Sequence, residues 1–185
     1  MTTTKPWPHL ALSIMAAALL TGCERDPVRA SDVDLTKSPT ADAAVQKVLA
    51  TGMFDQTAIT SLNVSTAGGN TILDQTSVGT ITGTLTGHFD DDLKVVIHPN
   101  GKFNANFTIK CVCTVEGKLG TVEMVANDTG ELLSPALAQF AGRAVIKRAT
   151  GDLAGLHGVL EFEGTVDVVT GLATYGYTGE IHFTP

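Results

Sequence analysis

Between Phe103 and Val115 the odd positions are all apolar: Phe103, Ala105, Phe107, Ile109, Cys111, Cys113 and Val115. The even positions are mostly Asn, Thr and Lys. Only an extended backbone sends successive side chains to opposite faces, so this run is a half-buried strand and cannot be a helix. The segment before it, LKVVIH (93–98), is joined to it through Pro99-Asn100-Gly101. Asn-Gly between two alternating runs is a strong hairpin signal. Beyond Val115, Glu116-Gly117-Lys118 turns the chain into LGTVEMVA (119–126). Upstream, the run 77–89 puts Ile81, Leu85 and Phe89 on one face and Thr80, Thr82, Thr84 and Thr86 on the other.

The last third continues the pattern. GRAVIKRA (142–149) reads as a strand, TGDLAGLHG (150–158) as a glycine-rich corner, and VLEFEGTV (159–166) and TYGYTGEIHF (174–183) as two more strands. Gly151, Gly155 and Gly158 permit positive φ or close backbone approach where a strand bends over the end of a sheet. Seven or eight strands, each followed by Gly or Asn-Asp turns, predict an all-β domain over 53–185, a small antiparallel β-barrel of about eight strands. One stretch breaks the rhythm: ELLSPALAQFAG (131–142) reads as a helical turn or a long loop, with Pro135 limiting any helix.

The amino terminus carries an address. One positive charge, Lys5, precedes an apolar run from Leu10 to Leu20. That run falls short of the roughly 20 residues that span a bilayer, and has the layout of a signal-peptide core. Leu20-Thr21-Gly22-Cys23 follows, and it resembles the lipobox of bacterial lipoproteins. The resemblance implies cleavage after residue 22, lipidation of Cys23 and a membrane anchor. Glu24, where Asp would favour inner-membrane retention, points to the outer membrane. Residues 23–52 are then a lipid-anchored tether, charged and Pro-bearing over 24–40. A short helix is predicted at its end, started by Ser38-Pro39, with Ala44, Val45, Val48 and Leu49 on one face and Gly52 as its cap. Without residues 1–22 the chain has eleven basic and nineteen acidic residues, a net charge of −8. Such a balance argues against nucleic acid, whose binding rests on Lys and Arg meeting phosphates.

The order HPNGKFNANFTI, ATGDLAGLHGVLEFEGTVD, TYGYTGEIHF resembles the allene-oxide-cyclase-like barrel superfamily over about residues 56–183. The likeness is best to its uncharacterised bacterial members, with their GTGxLAGLxG corner and closing YxGxxHF strand. Plant dirigent proteins share that barrel and a related corner. Ala149 stands where a Gly is frequent. The plant cyclase sets Glu, Asn and Pro around an epoxide, and no matching motif is present, so the resemblance carries no catalytic residue across. Dirigent proteins orient bound radicals with acidic residues. Glu161 and Glu163 are the nearest candidates, but they alternate with Leu160 and Phe162 and are expected to face solvent.

Other constellations are weaker. Cys111 and Cys113 set two thiols on one strand face about 7 Å apart, beyond comfortable disulfide reach, and read first as small buried apolar residues, with a strained redox pair or a soft-metal site as alternatives. His88, His98, His157 and His182 lack zinc spacing, and no metal or cofactor is expected. Asp90-Asp91-Asp92 reads as a solvated hairpin tip. No nucleophile elbow or phosphate loop is present. A membrane-spanning barrel would need aromatic girdles, and the chain has ten aromatics in all.

Two functional readings remain. The favoured one is a non-enzymatic envelope lipoprotein whose barrel accepts an apolar small molecule or a protein partner, with Phe103, Phe107, Ile109, Tyr175 and Tyr177 as binding residues. The alternative is a cyclase or isomerase using the same cavity, which requires polar groups converging inside an apolar wall. Mass spectrometry of the membrane fraction is expected to find the chain starting at an acylated Cys23; a free Cys23 thiol would remove the anchor.

Overall fold

The computed structural model describes residues 47–184. The expected signal peptide, Cys23 and the expected tether up to residue 46 lie outside them. The described chain is eight strands: β1 (Lys47–Ala67), β2 (Asn70–Gly83), β3 (Leu85–Ile97), β4 (Lys102–Val115), β5 (Lys118–Ser134), β6 (Leu137–Gly151), β7 (Leu156–Asp167) and β8 (Leu172–Phe183). Each pairs antiparallel with the next, and β1 pairs with β8, so the sheet closes into a barrel in simple up-and-down order. Closure leaves the ring with one face inside, and alternation along each strand fills it.

The turns follow from local chemistry. Gly68-Gly69 and Glu116-Gly117 both have positive φ at the two central positions, the mirror-image turn whose twist matches paired strands. Gly101 takes φ 81° after Asn100 and closes the β3–β4 hairpin with its N–H donating to the His98 carbonyl at 2.9 Å. The glycine-rich corner lies between β6 and β7, with Leu153 turned inward and fully buried.

Five sequence expectations are corrected. The helix predicted to end at Gly52 does not form over its described part: Val48, Leu49 and Gly52 belong to β1. Ala50 and Phe54 point inward while Leu49 is exposed, a period of two imposed by pairing with β8. The stretch 131–142 is neither helix nor long loop but the tip of the β5–β6 hairpin, with Pro135 in the turn, where no ladder N–H is needed. The alternating run 77–89 folds back at Gly83, φ 103°, so that Ile81 faces Gly87 across the β2–β3 ladder. Asp90–Asp92 and Asn127-Asp128 are not turns; they lie within β3 and β5. Finally, Cys111 and Cys113 have Cα atoms 5.4 Å apart and are joined as a disulfide. The observed spacing is shorter than that of a regular strand and lies within disulfide reach.

The interior is packed by a recurring device. Tyr177 lies opposite Gly52, Phe89 opposite Gly79, Phe103 opposite Gly130, and Phe162 opposite Gly142 in the cross-strand register. A Cβ at any of these glycines would come within 2.6 Å of its partner's ring or, at Gly52, of its hydroxyl. Each ring therefore lies flat along the wall over a missing side chain. The half of the barrel toward the β2–β3, β4–β5 and β6–β7 turns is solid: Ile81, Leu85, Met124, Leu153, Leu156 and Leu160 are each at most 1% exposed. Leu160→Ala is expected to cost about 2–5 kcal/mol in urea unfolding, the range for a large cavity in a core that cannot collapse. A cost under about 1 kcal/mol would show that this half is not tightly filled.

Candidate functional site

The other half of the barrel is open. Toward the β1–β2, β3–β4, β5–β6 and β7–β8 turns the interior holds a cavity of ≈ 150 Å³. Its wall is aliphatic on β2, β3 and β7 (Leu73, Leu93, Val95, Ile97, Val166) and aromatic on β4, β6 and β8 (Phe103, Phe107, Phe140, Tyr175). Polar groups gather where the aromatic cluster of the solid half begins. Gln56, Gln75, Asp91, Asp128 and the Tyr175 hydroxyl come from five different strands and line the same space.

Asp91 is held in place. It is 5% exposed and shares inward parity with Phe89 and Leu93. Ser77 donates to its Oδ1 through both its backbone N–H, at 3.1 Å, and its hydroxyl. Gln56 Nε2 donates to its Oδ2 at 2.8 Å. The Gln56 side chain reaches there because β1 leaves the ring. The β1–β8 ladder stops at Asp55, a register shift follows between Gln56 and Ala58, and the rest of β1 pairs with β2 alone. The N–H of Ala173 thereby loses a strand partner and donates instead to Gln56 Oε1 at 2.9 Å. One amide side chain thus repairs a broken ladder and fixes a buried carboxylate.

Asp128 and Tyr175 are not satisfied in this way. Asp128 Oδ1 and the Tyr175 hydroxyl are buried without a hydrogen-bond partner. Burial pushes the Asp128 carboxyl up to about 6, against a backbone hydrogen bond at Ala105 that lowers it. Burial also raises the Tyr175 phenol well above its ordinary range, with the nearby charges of Asp91 and Asp128 adding to the effect. The ring of Tyr175 cannot swing away. It stacks on Phe54 at 4.8 Å between centroids and 11° between planes, with Phe140 edge-on at 5.5 Å. Two unmet polar groups on rigid strands at the bottom of an apolar recess are the features of a binding site.

The sequence-predicted residues divide between the two halves. Phe103, Phe107 and Tyr175 line the cavity. Ile109 does not: it is 1% exposed and packed in the core beside Asp91 in the ladder. Tyr177 does not either; its hydroxyl accepts from Leu85 N–H at 3.0 Å and donates to the Thr82 carbonyl at 3.2 Å, tying down the β2–β3 hairpin. Glu161 and Glu163 face solvent, the former 3.7 Å from Arg143. His98 bonds Asn70 and Asn104, while the His157 and His182 rings stand 5.9 Å apart. Among the described residues no three His, Cys, Asp or Glu side chains gather as metal ligands. Sequence reading missed Gln56, Gln75, Asp91 and Asp128. Parity held the signal for the two acids: Asp91 is in phase with Phe89 and Leu93, and Asp128 with Met124 and Ala126.

No protein-family model matches the chain, and neither does any curated protein. Among solved structures, it superposes on a protein of unknown function from the DUF3224 family of Shewanella oneidensis MR-1. That match has a TM-score of 0.52 and 18% identity, covering 76% of this chain and 99% of the other. A pterocarpan synthase dirigent protein superposes with a TM-score of 0.44 and 12% identity, covering 80% of this chain and 99% of the other. The DUF3224 likeness is one of fold alone.

Asp128 makes stability depend on pH. Its folded-state pKa of about 6 lies above that of the unfolded chain, so the protonated form favours folding. That contribution is complete below about pH 4 and is lost as pH rises through about 6. Asp128→Asn is expected to be more stable than the parent by roughly 2 kcal/mol more at neutral pH than at pH 4. Urea titrations at the two pH values measure it, and parallel losses in both proteins would mean the carboxyl is fully solvated.

Proposed function

We propose that the barrel is a binding module of the bacterial envelope, moored at the outer membrane through a lipidated Cys23, that takes an apolar small molecule into its open end. The observation that carries this reading is the cavity itself: apolar walls leading to buried polar groups without partners. A volume of ≈ 150 Å³ suits a single benzene-sized body. The wall is strand on nearly every side, so the recess is pre-formed and binding costs little ordering. The lipobox resemblance at Leu20–Cys23 supports the location, and the acidic balance of the chain accords with a partner other than nucleic acid.

The cyclase or isomerase alternative draws on one feature, the Asp128 carboxyl titrating near neutrality, where a group can both give and take a proton. Recovery of the ligand unchanged after incubation separates binding from catalysis.

Toluene, a neutral apolar probe, is expected to shift the methyl resonances of Leu73, Leu93, Val95 and Val166, and Val95→Trp to abolish those shifts by filling the cavity. Shifts that are absent, or scattered over the outer face of the barrel, would refute the binding reading.

A further inference from the structure

We infer that the open end of the barrel selects a ligand bearing a protonated amine on its apolar body, with Asp128 and Tyr175 contacting the headgroup and Asp91 supplying a second fixed negative charge. The inference rests on the binding reading above and narrows it to one class of headgroup.

Three observations lead to it. First, the lining of the cavity contains two carboxylates and no Lys, Arg or His. The nearest basic side chains on β3 and β4, Lys94, Lys102 and Lys110, are exposed on the outer face. A ligand carboxylate would meet two like charges in a poorly solvated space, with only neutral donors, the Tyr175 hydroxyl and the Gln75 amide, to offset them. Apolar walls alone would welcome a fatty or aromatic acid, and the floor turns it away.

Second, the acceptors left unmet are ones an ammonium satisfies. Asp128 Oδ1 lacks a donor, and the Tyr175 hydroxyl has free acceptor capacity. An ammonium brings three N–H donors and no acceptor. Asp91, already holding three donors from Ser77 and Gln56, is fixed as a background charge and does not need the ligand to complete its bonds.

Third, Phe103, Phe107, Phe140 and Tyr175 surround the same space on the β4, β6 and β8 side. Aromatic faces attract cations, and a ring of them with acidic groups is the usual setting for ammonium recognition. The aliphatic wall opposite takes the apolar body.

The pH response follows from the groups that face Asp128. Across the interior these are Asp91 on β3 and Tyr175 on β8. The neighbouring strands β4 and β6 place Ala105 and Gly142 directly across the ladder from Asp128, neither of them titratable. A carboxyl titrating near 6 loses its charge in mild acid, so ammonium binding weakens as pH falls from about 7.5 to about 5, by up to about tenfold.

Calorimetric titration of the full chain with benzylammonium, benzyl alcohol and benzoate tests the inference, since the three share one ring and differ in headgroup charge. Benzylammonium is expected to bind at least about tenfold tighter than benzyl alcohol at neutral pH, and benzoate more weakly than either. In Asp128→Asn the benzylammonium advantage over benzyl alcohol is expected to fall to within about threefold. Tyr175→Phe, whose ring packing is preserved, serves as a second variant with the same expected direction. Equal affinities, or a preference for benzoate, overturn the headgroup inference and leave the apolar cavity standing. Binding by none of the three overturns both.

Discussion

The barrel depends on a problem of space. Eight strands enclose an interior just wide enough for side chains, and this chain turns several aromatic rings inward. Those rings fit because a glycine sits across the ladder from many of them, as Gly52 does for Tyr177 and Gly130 for Phe103. A side chain at Gly52 would collide with the Tyr177 hydroxyl at 2.5 Å and with the Thr82 carbonyl. The glycines are therefore a volume allowance written into the sequence. They let the rings lie along the wall and leave the axis to aliphatic side chains in one half and to empty space in the other.

That division links packing to function. In the solid half, long aliphatic side chains from facing strands meet on the axis, and Leu153 from the β6–β7 corner closes the end. In the open half, Ala105, Ala138 and Ala173 replace them, and the rings of Phe103, Phe107 and Phe140 stay at the wall. Small residues at three inward positions are what keep the cavity from closing. The point where β1 parts from β8 sits at the same level, and there the backbone's need for a donor or acceptor is met by Gln56, which in turn holds Asp91. A defect in the ladder and a polar floor are thus one structure.

Several features of the fold could be read from the chain because they depend on near neighbours. Alternation over 103–115, the Asn100-Gly101 turn and the corner at 150–158 each predict their own geometry, and closure into about eight antiparallel strands follows from their number and spacing. The misreadings share a cause. Asp90–Asp92 and Asn127-Asp128 look like turns because acidic and amide residues are common there, yet the ladder on both sides runs straight through them. Ser134-Pro135 looks like the start of a loop and is a hairpin tip. The helix predicted before Gly52 gave way to a strand because β8 offered a partner along nine residue pairs.

What the sequence determined alone was the period, the turns and so the barrel, because strand alternation and positive-φ glycines act within a few residues. Only the tertiary structure decided which half of the interior is full, that Ile109 and Tyr177 belong to packing while Phe103, Phe107 and Tyr175 face a cavity, and that Asp91 and Asp128 meet near the same phenol. Those outcomes depend on register between strands far apart in the chain, as in the bond between Gln56 and Ala173, 117 residues apart. The physical reason is that parity fixes inside from outside, whereas height along the barrel, which separates core from cavity, is set by the shear of the closed sheet and is written in no local run of residues.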